Sequence, residues 1–295
     1  DIIGCIRRDR ISVVATVARI IEILRDKVDR DEASRDRALL MKDSLDGNAQ
    51  LHWLRRWWTF RKIRRQFGWK FWAFVSGGAA LRVDTEDFWQ KLGYVVVQGY
   101  GMTETASIIS VSHPFRSRRG SIGKTMPGQE IKLGKGGEIL VRGRNVSPGY
   151  WRNDGLPLTD QEGWLSTGDL GAKDAQGNLF FRGRRKEVIV TAAGMNIYPG
   201  DIETVLNRQS EIRDSLVVGL NSQRGPEAIA VLLMKNCDAD PSIAVQQTNE
   251  CLSPHQQIRQ WVVWPGRDFP RTRTQKVRKE DVMGFVRQQI EGQSK

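Results

Sequence analysis

The apolar positions of this 295-residue chain change period along its length, from helix and buried strand to short alternating strands. Residues 11–30 open with the apolar stretch Ile11-Ser12-Val13-Val14-Ala15-Thr16-Val17 and continue as an amphipathic helix. Residues 31–50 are polar and charged and predict an exposed connection. From Trp53 to Trp72, the residues Trp53, Trp57, Phe60, Ile63 and Phe67 recur at helical spacing among seven Lys/Arg and no acid, which predicts a basic amphipathic helix. Phe74-Val75-Ser76-Gly77-Gly78-Ala79-Ala80 is a strand ending in a Gly-Gly turn, and Asp84 to Leu92 is helical. Tyr94-Val95-Val96-Val97 is a second buried strand, running straight into Gln98-Gly99-Tyr100-Gly101-Met102-Thr103-Glu104-Thr105. Strand, Gly turn, helix and strand in that order predict a parallel α/β sheet whose two neighbouring strand ends face one crevice.

From Gly120 to Arg182 the pattern becomes short strands and turns, at 136–143, 163–169 and 178–181, and predicts a small antiparallel, barrel-like subdomain. The basic run Arg182-Gly183-Arg184-Arg185-Lys186 marks a boundary. Beyond it, Val188 to Val190, a helix from Pro199 to Asn207, strands at 215–219 and 229–234, and a last helix from about Glu280 make a compact α+β unit.

Composition narrows the classes. A hydrophobic content of 39% with 27% charged residues describes a soluble globular chain, and no apolar run reaches the roughly 18 residues that cross a bilayer. The N-terminal Asp1-Ile2-Ile3-Gly4 does not read as a signal peptide, and the chain looks cut from something longer. Cys5, Cys237 and Cys251 share no metal or redox spacing and fit a reducing compartment, while the histidines at 52, 113 and 255 lie too far apart for a zinc site or a His-based triad. The net charge of +12 favours anionic partners without choosing among nucleotides, coenzymes, lipids and nucleic acid. The Trp/Arg segment at 53–72 leaves three readings open: an aromatic stripe packed on its own domain, a peripheral membrane contact, or, least favoured, a nucleic-acid surface.

The stretch after Val97 carries candidate chemistry. Two glycines let the backbone turn and approach a ligand. Tyr100 offers a face for a flat base, Thr103 a hydroxyl for a phosphate oxygen, and Glu104 a carboxylate for Mg²⁺. Alone, the same residues read equally as an ordinary Gly-rich turn.

That stretch has companions. Ser76-Gly77-Gly78-Ala79, the 98–105 segment, Gly137 to Gly143, Gly163 to Asp169, Gly183 to Ile189, Gly194 to Pro199 and Pro270 to Lys276 occur in the order and approximate spacing of the AMP-forming adenylating enzymes. The chain resembles this superfamily of acyl-CoA synthetases, luciferases and peptide-synthetase adenylation domains over residues 5–285, and it looks most like a fatty acyl-CoA synthetase. The resemblance implies an α/β fold in which 1–183 is the latter part of a large parallel-sheet AMP-binding domain. Its β-barrel-like subdomain is at about 120–183, and 184–295 is a small, mobile α+β C-terminal domain. It also implies ATP-dependent activation of a carboxylic acid, with a fatty acid favoured, to an acyl-adenylate and transfer to coenzyme A. ATP/AMP, Mg²⁺ and coenzyme A are then the ligands, and the location is cytoplasmic or peripheral on the inner face of a membrane.

Position by position, the resemblance implies that Gly77, Gly78 and Ala79 border the adenine and acyl pocket, with Gly99 and Gly101 shaping the neighbouring strand end. Tyr100 stacks on adenine, Thr103 contacts the α-phosphate and Glu104 binds Mg²⁺. Asp169 accepts hydrogen bonds from the ribose hydroxyls and Arg184 reaches ribose and phosphate. Lys186 is the hinge, Gly194 lies on the loop used in thioester formation, and Lys276 neutralises charge during adenylation. Two departures stand out. The family usually has Gly before that lysine, where this chain has Gln275. The family's Ser/Thr/Gly-rich loop ending in Pro-Lys, which holds the β- and γ-phosphates, has no counterpart in 1–295, so these residues alone are expected to form acyl-adenylate poorly. A carrier-protein-loading or acyl-AMP ligase and a catalytically silent nucleotide-binding module are the rival functions.

Overall fold

The computed structural model describes residues 1–31, 60–150, 157–222, 225–236 and 239–293. The chain forms two compact units. One comprises Asp1–Lys135, Ile139–Thr167 and Ala172–Phe181, the other Gly136–Glu138, Gly168–Gly171 and Arg182–Lys295.

In the first unit, α1 (Ile2–Arg8) precedes β1 (Val13–Val17), α2 (Ala18–Asp31) and α3 (Arg61–Phe67). There follow β2 (Ala73–Gly77), α4 (Val83–Lys91) and β3 (Val95–Tyr100), then the short strands β4 (Ser110–Val111) and β5 (Lys124–Thr125). These five strands form one sheet in sequence order. β1, β2 and β3 are parallel, with Val17 opposite Gly77 and Ser76 opposite Gln98, and β4 turns back antiparallel on β3. Helices α2 and α4 are amphipathic and bury Ile21, Leu24, Val28 and Trp89 against the sheet's Phe74 and Val96. An aromatic cluster fills the centre. Trp89 lies 4.7 Å from Phe74 and 5.5 Å from Phe67, ring centre to ring centre, and its indole N–H donates to the Ile21 carbonyl at 3.3 Å. Paired rings add about 0.5–1.5 kcal/mol beyond the area they bury.

The helix expected over 53–72 is shorter in its described part. Residues 53–59, with Trp57 and Trp58, and the connection at 32–50 lie outside the described residues. Helix α3 stops at Phe67 because Gly68 follows with φ +86°. Its apolar stripe turns inward, with Phe60, Ile63 and Phe67 no more than 2% exposed. The core therefore takes the three described side chains of the predicted stripe. Trp69 and Trp72 fall beyond the helix and are exposed. Among the described residues no helix is long and apolar enough to cross a membrane.

The β-rich part is a four-stranded sheet of order β6-β7-β8-β9: β6 (Gln129–Leu133), β7 (Glu138–Gly143), β8 (Leu165–Lys173) and β9 (Leu179–Arg184). Ile139, Val141 and Leu179 pack there with Ile109 and Ile122.

The second unit contains the hairpin of β10 (Ile189–Val190) and β11 (Asn196–Ile197), then α5 (Pro199–Leu206), β12 (Ile212–Ser222), β13 (Gly225–Met234), α6 (Pro241–Glu250), β14 (Gln260–Val263) and α7 (Lys279–Gln293). β13 is the central strand, antiparallel to β12 and parallel to β14. Its period-two alternation is buried on both faces. Ala228, Ala230 and Leu232 pack with Ile202 and Leu206 of α5 and Val245 of α6, whereas Ile229, Val231 and Leu233 pack with Val282 and Val286 of α7. The pattern predicted α5, both long strands and α7. It missed α6, although Asp240 and Pro241 are a start signal: the Asp240 carboxylate accepts the Ser242 N–H at 2.9 Å and proline occupies the first helical turn. Cys237 lies outside the described residues, and Cys5 and Cys251 are free thiols.

Glu203 is lifted into the neutral range. Burial pushes it up to about 7, against the N–H of Val217 (2.8 Å) and the nearby Lys279, while Asp214 and Glu187 repel it. A carboxyl raised in the folded state favours folding when protonated, so its contribution is full below about pH 4.5 and lost as pH rises through about 7. Urea unfolding at pH 5 and pH 8 should show the native chain losing roughly 2 kcal/mol over that interval, discounted because part of the side chain reaches solvent. Glu203→Gln should flatten the loss, and an equal pH slope in both proteins would refute the assignment.

Candidate active site

β2 and β3 end side by side. Their register sets Gly77 next to Gly99, and a Cβ built on Gly77 would sit 4.0 Å from the Gly99 carbonyl. Gly78 follows with φ +78°, and Gly78 and Ala79 are exposed where the chain leaves the sheet. The strand ends are thus lined by backbone with little side chain in the way, which suits close approach by a planar or anionic ligand.

The segment after β3 reverses sharply. Thr103–Thr105 forms one 3₁₀ turn. The Thr105 hydroxyl accepts the Met102 N–H and donates to the Met102 carbonyl, and Ala106 and Ser107 both take positive φ, +50° and +90°. The reversal brings the Ser107 carbonyl to 1.6 Å from where a Cβ on Gly101 would lie, so only glycine fits at 101. Tyr100 is half-buried with its ring 6.5 Å from Phe181, Thr103 is exposed, and Glu104 is half-buried. Tyr150 donates its hydroxyl to Glu104 Oε1 at 2.7 Å. The carboxylate holds that phenol proton above its ordinary range.

The second unit gathers a different subset. Asp169 is buried and pairs with the half-exposed Arg184, Oδ1 to Nε 3.4 Å. Glu138 holds the residue before it in β8. One carboxylate oxygen accepts the Gly168 N–H at 3.1 Å and the other pairs with Arg185 at 2.7 Å. Lys186 is exposed on the 3₁₀ turn Arg185–Glu187, and Gly194 sits with φ +74° at the exposed tip between β10 and β11. Lys276 is exposed on a loop closed by the Arg271–Val277 bridge, and Arg271 donates to the Gln275 carbonyl at 3.2 Å. Gln275 itself has φ +64°. It adopts the left-handed conformation a glycine takes freely, at a cost of about 1–2 kcal/mol.

Sequence patterning alone could not find Tyr150, Glu138 or Glu86. Glu86 is buried in α4 and accepts from the Gln98 side chain at 3.1 Å and the Gly120 N–H at 2.9 Å, which fixes the residue that opens the 98–105 segment. Burial raises its carboxyl above the usual range, with Asp87 adding to the effect and the Gly120 N–H opposing it.

Among the described residues no three His, Cys, Asp or Glu side chains cluster as a metal site. Glu104 still fits Mg²⁺. Its Oε2 has no hydrogen-bond or ion-pair partner among the described residues, and Mg²⁺ is commonly held by one or two carboxylates, with phosphate oxygens and water completing its shell.

Parallel strands whose carboxyl ends open beside glycine-lined turns are the usual ligand site of an open α/β sheet, and they place this fold in that class. The chain belongs to the AMP-binding enzyme family, whose model matches residues 1–151. A long-chain-fatty-acid–CoA ligase of Mycobacterium bovis is 40% identical over 162 residues, 55% of this chain and 27% of that protein. An indoleacetate–CoA ligase of Aromatoleum aromaticum is 34% identical over 211 residues, 66% of this chain and 41% of that protein. The fold matches an o-succinylbenzoate CoA synthetase of Bacillus subtilis solved with its acyl-adenylate, with TM-score 0.72 and 24% identity, covering 96% of this chain and 53% of that one. The chain thus spans about half the length of the solved relative and less of the two ligases.

Gly101→Ala should lower stability by roughly 2–4 kcal/mol, because backbone has to move, against about 1 kcal/mol for Gly78→Ala, where only φ is strained. Similar urea midpoints for the two variants would contradict the close approach. Gln275→Gly should leave stability unchanged or raise it by up to about 1 kcal/mol, the relief of φ being offset by a freer unfolded chain. Gln275→Val should lower it, and the reverse order in thermal melts would show that φ is not the constraint.

Proposed function

We propose that this chain is part of an AMP-forming CoA ligase that activates a carboxylic acid, with a long-chain fatty acid as the favoured substrate. The observation that carries this is the pair of glycine-ended parallel strands with Tyr100, Thr103 and Glu104 on the turn just beyond them. The fatty-acid choice draws on the 40% identity to the mycobacterial long-chain ligase. The indoleacetate ligase, at 34%, keeps aromatic acids as the runner-up.

In the proposed reaction a carboxylate oxygen of the acid attacks the α-phosphorus of ATP and the bond to the bridging β-phosphate oxygen breaks. Pyrophosphate leaves and an acyl-adenylate remains. The thiol of coenzyme A then attacks the acyl carbon, loses its proton, and AMP departs. Two anions meet in the first step, so positioning and charge neutralisation supply most of the catalysis. Mg²⁺, held by Glu104 and phosphate oxygens, would supply Lewis-acid neutralisation of the phosphates. Tyr100 offers its ring to adenine. Thr103 offers a hydroxyl to the α-phosphate. Asp169 accepts from the ribose hydroxyls with Arg184 beside it, and Lys276 neutralises the approaching carboxylate and α-phosphate. The left-handed φ of Gln275 supports a working lysine loop, since glutamine there takes the conformation that glycine would.

Binding to the 295-residue chain tests this directly. AMP and a non-hydrolysable long-chain acyl-adenylate analogue should both bind in calorimetry, the analogue more tightly, because it fills nucleotide and acyl sites together. Asp169→Ala should weaken both by about tenfold or more, with the loss of a charged acceptor for two hydroxyls. Absence of AMP binding, or indifference to Asp169→Ala, would sink the proposal; equal affinity for AMP and the analogue would remove the fatty-acid part.

A further inference from the structure

Three hydrogen bonds reach the Thr103–Ser107 turn from one loop, the segment that follows β7. The Asn145 side-chain N–H donates to the Thr105 carbonyl, the Ser147 N–H donates to the Glu104 carbonyl, and the Tyr150 hydroxyl donates to Glu104 Oε1, each at 2.7 Å. Loop and turn belong to the same compact unit. The turn needs such support. Ala106 and Ser107 hold consecutive positive φ without being glycine, a conformation that persists only where surrounding contacts impose it.

Tyr150 is the informative member of the three. Its side chain is largely in solvent, the residue being 54% exposed, so its ring fills little of the core and packing gives no reason for an aromatic residue here. What its hydroxyl does is take one oxygen of Glu104 and leave the other without a partner among the described residues. A glutamate has several rotatable bonds, and freezing them in advance removes an entropy cost from any later binding event.

We propose that the 145–150 loop is a clamp on the 103–107 turn, and that Tyr150 is a positioning residue that aims the Glu104 carboxylate at a divalent cation bound with nucleotide. The inference rests on the assignment of Glu104 as the metal-binding carboxylate. Asn145 and Ser147 hold the backbone of the turn, and Tyr150 holds the side chain. A clamp of this kind acts on metal affinity and on local opening of the turn while leaving AMP affinity nearly unchanged, because neither Tyr150 nor the two carbonyls are assigned a contact with base or ribose.

Mn²⁺, followed by electron paramagnetic resonance in the presence of saturating AMP, is the probe. In the 295-residue chain Tyr150→Phe should weaken Mn²⁺ binding by roughly tenfold, the scale expected for losing one hydrogen bond to a charged group. AMP affinity and the thermal midpoint should stay within error, and amide exchange across 103–107 should quicken. Unchanged Mn²⁺ affinity in Tyr150→Phe overturns the positioning role, whatever the exchange data show. Glu104→Gln separates the two levels. If it abolishes Mn²⁺ binding while Tyr150→Phe does nothing, the clamp fails and the metal assignment stands. If Glu104→Gln leaves Mn²⁺ bound, or the unaltered chain binds none, the metal assignment fails and the clamp's purpose falls with it.

Discussion

Ser76 pairs with Gln98 across two parallel strands, and the candidate site of the first unit depends on that register. A slip of one residue would invert every side chain of β3 relative to the core. Val96 would leave the buried cluster and Gly99 would lose its place beside Gly77. The register is held from two directions. The aromatic packing of Phe74, Trp89 and Tyr94 fixes the sheet from its buried face, and Glu86 fixes the Gln98 side chain at the point where β3 becomes the turn.

A single device recurs through both units. Glu86, Glu138 and Glu203 each accept a main-chain N–H from a segment remote in sequence, 34, 30 and 14 residues away. Glu86 holds a loop glycine, whereas Glu138 and Glu203 hold N–H groups within β8 and β12. A carboxylate suits this task, since it offers two acceptor atoms with broad directional tolerance. Its disadvantage is a desolvation cost that shows as the upward displacement of Glu86 and Glu203. Glu138 keeps the cation of Arg185 within 2.7 Å, and that attraction works against the cost of taking its charge out of water.

Legibility from the sequence followed the range of the interaction involved. β3 and its turn were readable because Tyr94 to Val97 is a continuous apolar run followed by two glycines, β13 because Ala228 to Met234 is a longer one, and α7 because its apolar residues recur at helical spacing. The register of seven short motifs gave the family, which no single motif could. β14 was missed because Trp261 and Val263 are solvent-facing, so its four residues show no buried period. α1 is only seven residues and stands on Ile3 and Ile6 meeting α3, a contact formed in space and absent from local pattern. Tyr150 and Glu104 are 46 residues apart, and nothing in either local sequence announces the pair. The departure at 275 was visible as a missing glycine, but its outcome was a matter of φ, which composition does not reveal.

The burial of β13 on both faces has a consequence for how the chain is made. Ala228-Ile229-Ala230-Val231-Leu232-Leu233 is uncharged, apolar and free of proline, the profile of a segment that stacks with copies of itself. β12 precedes it and can cover one edge at once through a tight antiparallel hairpin. The other edge waits for β14, which a ribosome adds only after α6 and the turn beyond it. Until Gln260 to Val263 emerge, this strand has an open side, and the length of that interval is set by the distance between Met234 and Gln260.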